Sequence, residues 1–246
     1  SMSPSSLLIT GGNRGIGLGF VHFYLSRPDV KHVFATAREP EKAEDLLSIS
    51  DPRLHIIKMD VQSDESIISA EKEVSSILNG LGLNLLINNS GVATRYDIDS
   101  PPSRQSILST LDVNVAGPIV VSQVFLPLLR LASSSLSSLP ISVSRAAIIN
   151  ISSGAASIQD NKSGGMIVYR TSKTALNSLT KTFSIHTAKD GILTLAILPG
   201  YVVTRMTGHN GELTVEQSIK LMTDSFEKFG EVHQGGFFSK NGEPFP

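Results

Sequence analysis

Strand-length apolar runs alternate with helix-length segments along most of the chain. The six runs cover residues 7–10, 32–36, 54–58, 83–88, 146–151 and 193–198. Consecutive parallel strands need a crossover connection, usually a helix, and such crossovers cover both faces of the sheet. The alternation therefore predicts an α/β fold with a doubly wound parallel sheet and helices on both faces. In such a fold the ligand crevice lies at the carboxyl ends of the strands.

The composition narrows the class of protein. A chain of 246 residues with 40% hydrophobic content suits one domain with a large core, which we place at residues 2–246. The 21 basic and 22 acidic residues nearly cancel and form no basic stripe, so we expect no nucleic-acid partner. The absence of cysteine excludes a secreted disulfide scaffold and is compatible with a cytoplasmic location. The six histidines are scattered without metal-ligand spacing, so we expect no metal.

We expect no signal peptide and no membrane association. Residues 1–6 are polar and lead directly into the first apolar run. The longest apolar stretch, which we place near residues 192–198, is far shorter than the ~20 residues that a membrane span requires.

A glycine-rich turn follows the first apolar run and precedes a helical pattern. Glycines let the backbone turn sharply and approach a pyrophosphate, and the free amides of the next helix start favour its charge. This position predicts a Rossmann-type dinucleotide site, although an ordinary glycine-rich turn explains the pattern equally well when it is taken alone. The candidate cofactor residues are Gly11, Asn13, Arg14, Gly15, Ile16 and Gly17.

The end of the second apolar run indicates which nicotinamide cofactor binds. An acidic residue there holds the ribose hydroxyl of NAD, whereas a nearby arginine accommodates the 2′-phosphate of NADP. Here the run ends in Ala37-Arg38, which favours NADP(H). Arg14 supplies a second candidate cation for the same phosphate. The alternative is that both arginines are ordinary solvated side chains.

Tyr169 and Lys173 are separated by four positions in a helical pattern. This spacing places them on one helix face, about 6 Å apart along the axis. A free tyrosine hydroxyl titrates near pH ~10, and a nearby ammonium lowers its pKa toward the range that is useful for general acid catalysis. The pair alone is a common coincidence, so it gains weight only in combination with other motifs.

Several further motifs stand in a fixed order along the chain. They are the glycine turn of residues 10–17, Asp60-Val61, Asn88-Asn89-Ser90-Gly91, Asn114 between two valines, Ser152-Ser153, Tyr169-x-x-x-Lys173 and Pro199-Gly200. In this order the chain resembles the short-chain dehydrogenase/reductase family over essentially its whole length. The resemblance implies one NAD(P)-binding domain with a built-in catalytic site.

The resemblance also implies a catalytic group of four residues. Tyr169 would protonate the carbonyl oxygen as hydride arrives from the nicotinamide, and Ser153 would hydrogen-bond that oxygen. Lys173 would hold the nicotinamide ribose and lower the tyrosine pKa, and Asn114 would anchor a water in the proton relay. The further cofactor residues that it implies are Asp60 and Val61 at the adenine, Asn89 beside the cofactor, and Pro199, Val202 and Thr204 at the nicotinamide.

Two positions depart from the family pattern. Ser90 stands where alanine is common, and the 16 residues from Ser153 to Tyr169 exceed the usual separation. The longer segment leaves Ser152 as an alternative to Ser153, and we choose the second serine because it is the family's catalytic one.

Within the family, the loop at residues 157–161, the Gly164-Gly165 pair and the tail near residues 235–242 resemble the sniffer and C-factor group of carbonyl reductases. The short segment after Pro199 predicts a small or open pocket with loose carbonyl selectivity. Tyr96, Tyr201 and Met206 either line that pocket or are ordinary packing residues.

We therefore expect NADPH-dependent reduction of an aldehyde or ketone. The alternative is an NADPH-binding regulatory or sensor protein with little catalysis, and a weaker option is physiological alcohol oxidation. A serine hydrolase is disfavoured because the chain lacks a Gly-x-Ser-x-Gly motif. The segments 103–131 and 173–187 predict a homodimer, since these helices commonly pair across a two-fold axis in the family.

Overall fold

The computed structural model describes residues 2–246 and contains one seven-stranded sheet. The strands are β1 (Ser6–Ile9), β2 (His32–Ala37), β3 (Leu54–Lys58), β4 (Leu85–Asn88), β5 (Ala147–Ile151), β6 (Leu193–Ile197) and β7 (Phe237–Phe238). Their order is β3-β2-β1-β4-β5-β6-β7, and all neighbouring strands are parallel. The predicted doubly wound parallel sheet is confirmed.

Within residues 2–246, seven α-helices cover the sheet. They are α1 (Gly15–Leu25), α2 (Glu44–Leu47), α3 (Asp64–Leu78), α4 (Arg104–Leu111), α5 (Gly117–Ser135), α6 (Ile167–Ala188) and α7 (Val215–Lys228). Side chains of α1 and α7 form one core with one face of the sheet, and those of α3 and α5 form a second core with the other face. In β1, Leu7 and Ile9 enter the first core while Leu8 enters the second, because successive side chains of a strand point to opposite faces.

The strand order reverses at β1, which is paired with β2 on one side and β4 on the other. Ligands of open α/β sheets bind at such a reversal, outside the carboxyl ends of the strands. The loops after β1 and β4 therefore border the expected crevice.

Two features depart from the sequence-based expectation. Strand β7 was not among the predicted strands, because its two residues carry no alternating pattern and join the sheet by pairing with the edge of β6. The predicted helix at 103–131 is a continuous helical stretch that reaches Ser135 and contains a π-helical segment, Asp112–Ala116.

This stretch, Arg104–Ser135, is by length and composition apolar enough to cross a membrane. The expectation that the longest apolar stretch lies near residues 192–198 was therefore wrong. Half of its most apolar window is buried inside the fold. Val121, Phe125 and Leu129 are fully buried in the second core, which accounts for the apolar composition of the helix.

Candidate active site

The glycine turn between β1 and α1 has a conformation that requires glycine. Gly11 and Gly15 have φ values of +61° and +56°, in the left-handed region that side chains disfavour. A Cβ added to Gly17 would lie 2.2 Å from the carbonyl oxygen of Gly11, so only glycine fits there. Thr36 of β2 fixes the turn, because its Oγ1 accepts from the Gly11 amide at 3.2 Å and its carbonyl accepts from the Gly12 amide at 3.0 Å.

The start of α1 is open to an anion. Its N-cap residue, Arg14, has an extended backbone and makes no side-chain capping bond, and the first turn contains no acidic residue. The first amides of a helix have no intrahelical acceptor, so this helix start carries positive partial charge into the crevice. Together with the left-handed backbone of Gly11 and Gly15 in the turn, these features fit a dinucleotide pyrophosphate.

Two exposed arginines flank the adenosine side of the crevice. Arg14 lies in the glycine turn, and Arg38 directly follows β2. Within residues 2–246 neither guanidinium has a hydrogen-bond or ion-pair partner. The adjacent carboxylate, Glu39, pairs with Lys42 at 3.3 Å. Both arginines are therefore available to a phosphate.

Asn89 joins the loop after β4 to the glycine turn. Its amide donates to Thr10 Oγ1 at 2.9 Å, and its Nδ2 donates to the carbonyls of Thr10 at 3.1 Å and Gly11 at 3.3 Å. The Ser90 amide donates to the same Thr10 hydroxyl at 2.9 Å. These bonds fix the floor of the crevice across the strand reversal.

Asp60 and Val61 lie just beyond β3. The Asp60 side chain accepts from the Gln62 amide at 3.0 Å. Val61 packs against the start of α5, since a Cβ added to Gly117 would lie 3.2 Å from the Val61 Cβ. Both residues are partly exposed at the carboxyl edge of the sheet, as an adenine contact requires.

The segment after β6 lies over the glycine turn. Pro199 is buried, Gly200 has a φ of +84°, and an isolated bridge joins Val202 to Leu213. A Cβ added to Gly15 would lie 3.8 Å from the Thr204 methyl group. The segment therefore closes one side of the crevice above the start of α1.

Three of the predicted catalytic residues meet where β5 ends and α6 begins. Tyr169 and Lys173 lie in the first turns of α6 and are 9% and 6% exposed. The Lys173 ammonium donates to the Ile151 carbonyl at 3.0 Å and lies 5.9 Å from the centre of the tyrosine ring. The Ser153 side chain lies close enough to Tyr169 to lower the tyrosine pKa.

The two adjacent serines have different surroundings. Ser152 is 3% exposed, and its hydroxyl donates to Asn177 Oδ1 at 2.7 Å inside the fold. Ser153 is partly exposed, and its oxygen also accepts from the Ala155 amide at 3.1 Å. The structure brings Ser153, and not Ser152, to Tyr169.

Asn114 lies in the π-helical segment, a deformation that is frequent at functional sites. It is 1% exposed, and its side chain binds the amide and carbonyl of Val92 at 2.9 and 2.8 Å and the Ser172 hydroxyl at 3.0 Å. A Cβ added to Gly91 would lie 3.4 Å from Asn114 Oδ1 and 3.5 Å from Lys173 Nζ. Asn114 thus joins the loop after β4 to α6 beside Lys173.

Burial dominates the electrostatics of this group. Burial lowers the pKa of Lys173 to about 8. Burial also raises the pKa of Tyr169, and the Ser153 side chain partly opposes this rise. The pKa of Tyr169 is therefore raised, and not lowered as its spacing to Lys173 predicted, because burial outweighs the other effects. The Lys173 ammonium donates its hydrogen bond to the Ile151 carbonyl.

The long segment before Tyr169 forms a loop that is attached to α6. Arg170 donates from Nε to the Gly165 carbonyl at 2.9 Å and from Nη2 to the Gly164 carbonyl at 3.1 Å. Asn161 accepts from the Gly164 amide at 2.9 Å. The extra residues are accommodated in this loop without displacing Tyr169 from Ser153.

The sequence reasoning missed several supporting residues. A buried polar network lies below the site, in which Asn88 donates to Ser122 at 3.1 Å and to Asn150 at 2.8 Å, and Asn150 donates to Thr180 at 2.9 Å. It connects β4 and β5 to α5 and α6. The signal for it was the presence of amides inside otherwise apolar strands. Thr36, which fixes the glycine turn, had no such signal.

Comparison with known proteins agrees with this geometry. The sequence model of the short chain dehydrogenase family matches residues 5–213. An uncharacterised oxidoreductase of Schizosaccharomyces pombe is 32% identical over 217 residues, which cover 87% of this chain and 80% of that protein.

Two solved structures resemble the fold over nearly its full length. The carbonyl reductase Sniffer of D. melanogaster has a TM-score of 0.95 at 38% identity, covering 98% of this chain and 99% of that chain. An NADPH-bound carbonyl reductase from chicken fatty liver has a TM-score of 0.93 at 38% identity, covering 99% of both chains. The chain therefore belongs to the short-chain dehydrogenase/reductase family, in its sniffer-like group.

Proposed function

We propose that this protein is an NADPH-dependent carbonyl reductase that transfers hydride to an aldehyde or ketone, with Tyr169 as the general acid. The observation that carries the proposal is the convergence of Tyr169, Ser153 and Lys173 beside a crevice suited to a dinucleotide. The NADPH-bound carbonyl reductase from chicken, similar over 99% of both chains, supports the choice of cofactor and reaction.

The residues that would hold the cofactor lie around one crevice. Bound NADPH supplies the hydride. The start of α1 and the glycine turn receive the pyrophosphate, including the backbone of Asn13 and Ile16, and Arg14 and Arg38 receive the 2′-phosphate. The remaining contacts that we propose are Asp60 and Val61 to the adenine, Asn89 beside the ribose, and Pro199, Val202 and Thr204 to the nicotinamide.

The catalytic group would deliver the proton. As hydride adds to the carbonyl carbon, the Tyr169 phenol gives its proton to the carbonyl oxygen, and the Ser153 hydroxyl donates a hydrogen bond to the same oxygen. The Lys173 ammonium stabilises the phenolate that remains until a solvent proton replaces the lost one. Asn114 holds the loop after β4 and Ser172 in place beside a relay water.

The mouth of the site is apolar, which indicates the substrate class. Of the sixteen exposed large apolar side chains in residues 2–246, half lie on the loops after β4, β5 and β6 or at the first residue of α6. These eight are Val92, Ile98, Ile158, Met166, Ile167, Tyr201, Val203 and Met206. Exposed apolar side chains that cluster in this way mark binding sites. We infer an apolar carbonyl substrate.

The three side chains that were candidates for the pocket lining differ in their contacts. Tyr96 accepts from the Ser103 amide at 3.2 Å and so fixes the loop after β4. Tyr201 and Met206 are 53% and 52% exposed on the segment above the glycine turn. The exposed pair is therefore available to a substrate, whereas the Tyr96 hydroxyl already binds the protein.

A homodimer through α4, α5 and α6 is part of the proposal. Leu108, Leu131 and Ile185 on these helices are 57%, 39% and 68% exposed. Pairing of this face with a second copy would remove the three side chains from water. Sedimentation at micromolar concentration should give a dimer, and a purely monomeric species would refute this part.

The test of function is the oxidation of NADPH and NADH over a panel of aldehydes, ketones and quinones. We expect turnover with NADPH that collapses in Tyr169→Phe, while the NADPH dissociation constant stays within about threefold of wild type because only one hydroxyl is removed. Tight NADPH binding without turnover of any carbonyl would favour the sensor alternative. Equal turnover by wild type and Tyr169→Phe would refute the role of the tyrosine.

A further inference from the structure

The segment after β7 folds back along that strand. The Phe245 amide donates to the Phe237 carbonyl at 2.9 Å, and an antiparallel bridge joins Phe238 to Pro244. The turn between them is closed by a bond from the Ser239 amide to the Glu243 carbonyl at 2.8 Å. We call residues 239–246 the tail hairpin.

The tail hairpin approaches two loops of the candidate active site. A Cβ added to Gly154, the residue after Ser153, would lie 4.0 Å from the Phe245 ring. A Cβ added to Gly200, at the start of the segment above the glycine turn, would lie 3.1 Å from the Lys240 side chain. The hairpin therefore bridges the loops after β5 and β6.

The position of the Phe245 ring is held by several contacts. The ring packs edge to face on Phe237, with centroids 5.4 Å apart. The Ser225 hydroxyl of α7 donates to the Lys240 carbonyl at 2.8 Å and so attaches the hairpin to a core helix. Phe245 remains partly exposed, which leaves part of the ring free for another contact.

We propose that Phe245 forms a wall of the carbonyl pocket and selects flat aromatic carbonyl compounds over saturated ones of the same size. The inference rests on the proposed reductase function. Gly154 has no side chain between the ring and the Ser153 loop, so a planar substrate bound at Ser153 has an aromatic surface beside it. Stacked or edge-to-face aromatic pairs are favoured beyond simple burial of area.

The experiment compares benzaldehyde with cyclohexanecarbaldehyde as NADPH-linked substrates of wild type, Phe245→Leu, Phe245→Tyr and Val232→Ala. Phe245→Leu keeps apolar bulk without an aromatic face, and Phe245→Tyr keeps the face. Val232 is 91% exposed in the turn just before β7 and serves as the matched control. The NADPH dissociation constant and the thermal midpoint are measured for each variant.

We expect Phe245→Leu to lower the ratio of kcat/KM for the aromatic over the saturated aldehyde by about three- to tenfold, mainly through KM. Phe245→Tyr and Val232→Ala should keep the ratio of wild type, and NADPH binding should be unchanged in all. An unchanged ratio in Phe245→Leu, or an equal fall of the ratio in Phe245→Tyr, would overturn this inference and leave the proposed reductase function standing. No turnover of either aldehyde or of the wider panel by wild type would overturn the proposed function with it.

Discussion

Arg38 should determine the preference of this protein for NADPH over NADH. Arg38 follows β2 directly, is exposed, and has no partner within residues 2–246. If it binds the 2′-phosphate, Arg38→Ala removes a charge-assisted contact that the cofactor NADH does not make. The substitution should therefore weaken NADPH binding and leave NADH binding unchanged.

The magnitude follows from the exposure of Arg38. Hydrogen bonds between charged groups contribute about 1.5–3 kcal/mol, and solvent and salt weaken exposed ones. We take the lower end, about 1.5 kcal/mol, which corresponds to a loss of about tenfold in affinity. The same change at Arg14 should give a similar loss, because its guanidinium is equally exposed.

The assay is fluorescence titration of NADPH and NADH at two salt concentrations. Lys31→Ala is a matched control, since Lys31 is an exposed cation at the opposite end of β2. We expect the control to bind both cofactors as wild type does, and the NADPH advantage to shrink at high salt. An Arg38→Ala variant that loses NADPH and NADH affinity equally would refute the assignment of the phosphate to Arg38.

Three further predictions concern the site and the stability of the fold. Gly17→Ala should abolish cofactor binding in calorimetry, because its Cβ would lie 2.2 Å from a backbone carbonyl of the glycine turn; retained affinity would contradict the crowding. Ser153→Ala should lower kcat by about 10²-fold or more, whereas Ser152→Ala should act mainly on the thermal midpoint; the reverse pattern would exchange their roles. His32 and His55 contact each other at 3.1 Å, and burial lowers the pKa of both below 6.5 in the folded state. The folded state then binds fewer protons than the unfolded state, so the contribution of this pair to stability is complete above pH 6.5 and is lost as the pH falls through the lowered folded-state pKa values. In urea denaturation, the free energy of unfolding of the variant with both His32→Asn and His55→Asn should decline less toward low pH than that of wild type. An identical decline in the two proteins would exclude this pair as its cause.

The fold could be predicted from the sequence because most strands are buried in the sheet and are therefore apolar runs. The apolar runs at residues 7–10 and 54–58 coincide with β1 and β3 to within about one residue, since both faces of a parallel sheet are covered. Strand β7 was not predictable in this way. Its residues Phe237 and Phe238 become a strand only through pairing with β6, which is a tertiary effect that carries no local period.

The site was predictable where the chemistry depends on spacing along one element. Tyr169 and Lys173 share a helix, and so their proximity follows from helix geometry. The side-chain partners of Asn114 come from a loop and a second helix, so no spacing along the chain could indicate them. The raised pKa of Tyr169 depends on its burial in the fold, which no pattern along the chain could indicate.

The central claim is that this chain transfers hydride from NADPH to a carbonyl carbon. It is tested most directly with NADPH deuterated on each face of the transferring carbon of the nicotinamide, together with an aldehyde that wild type turns over. Mass spectrometry and NMR of the alcohol then show where the label goes. We expect one deuterium on the carbinol carbon from one face only, with no transfer in Tyr169→Phe above the background without enzyme. Label that stays in the cofactor or passes to solvent would contradict it.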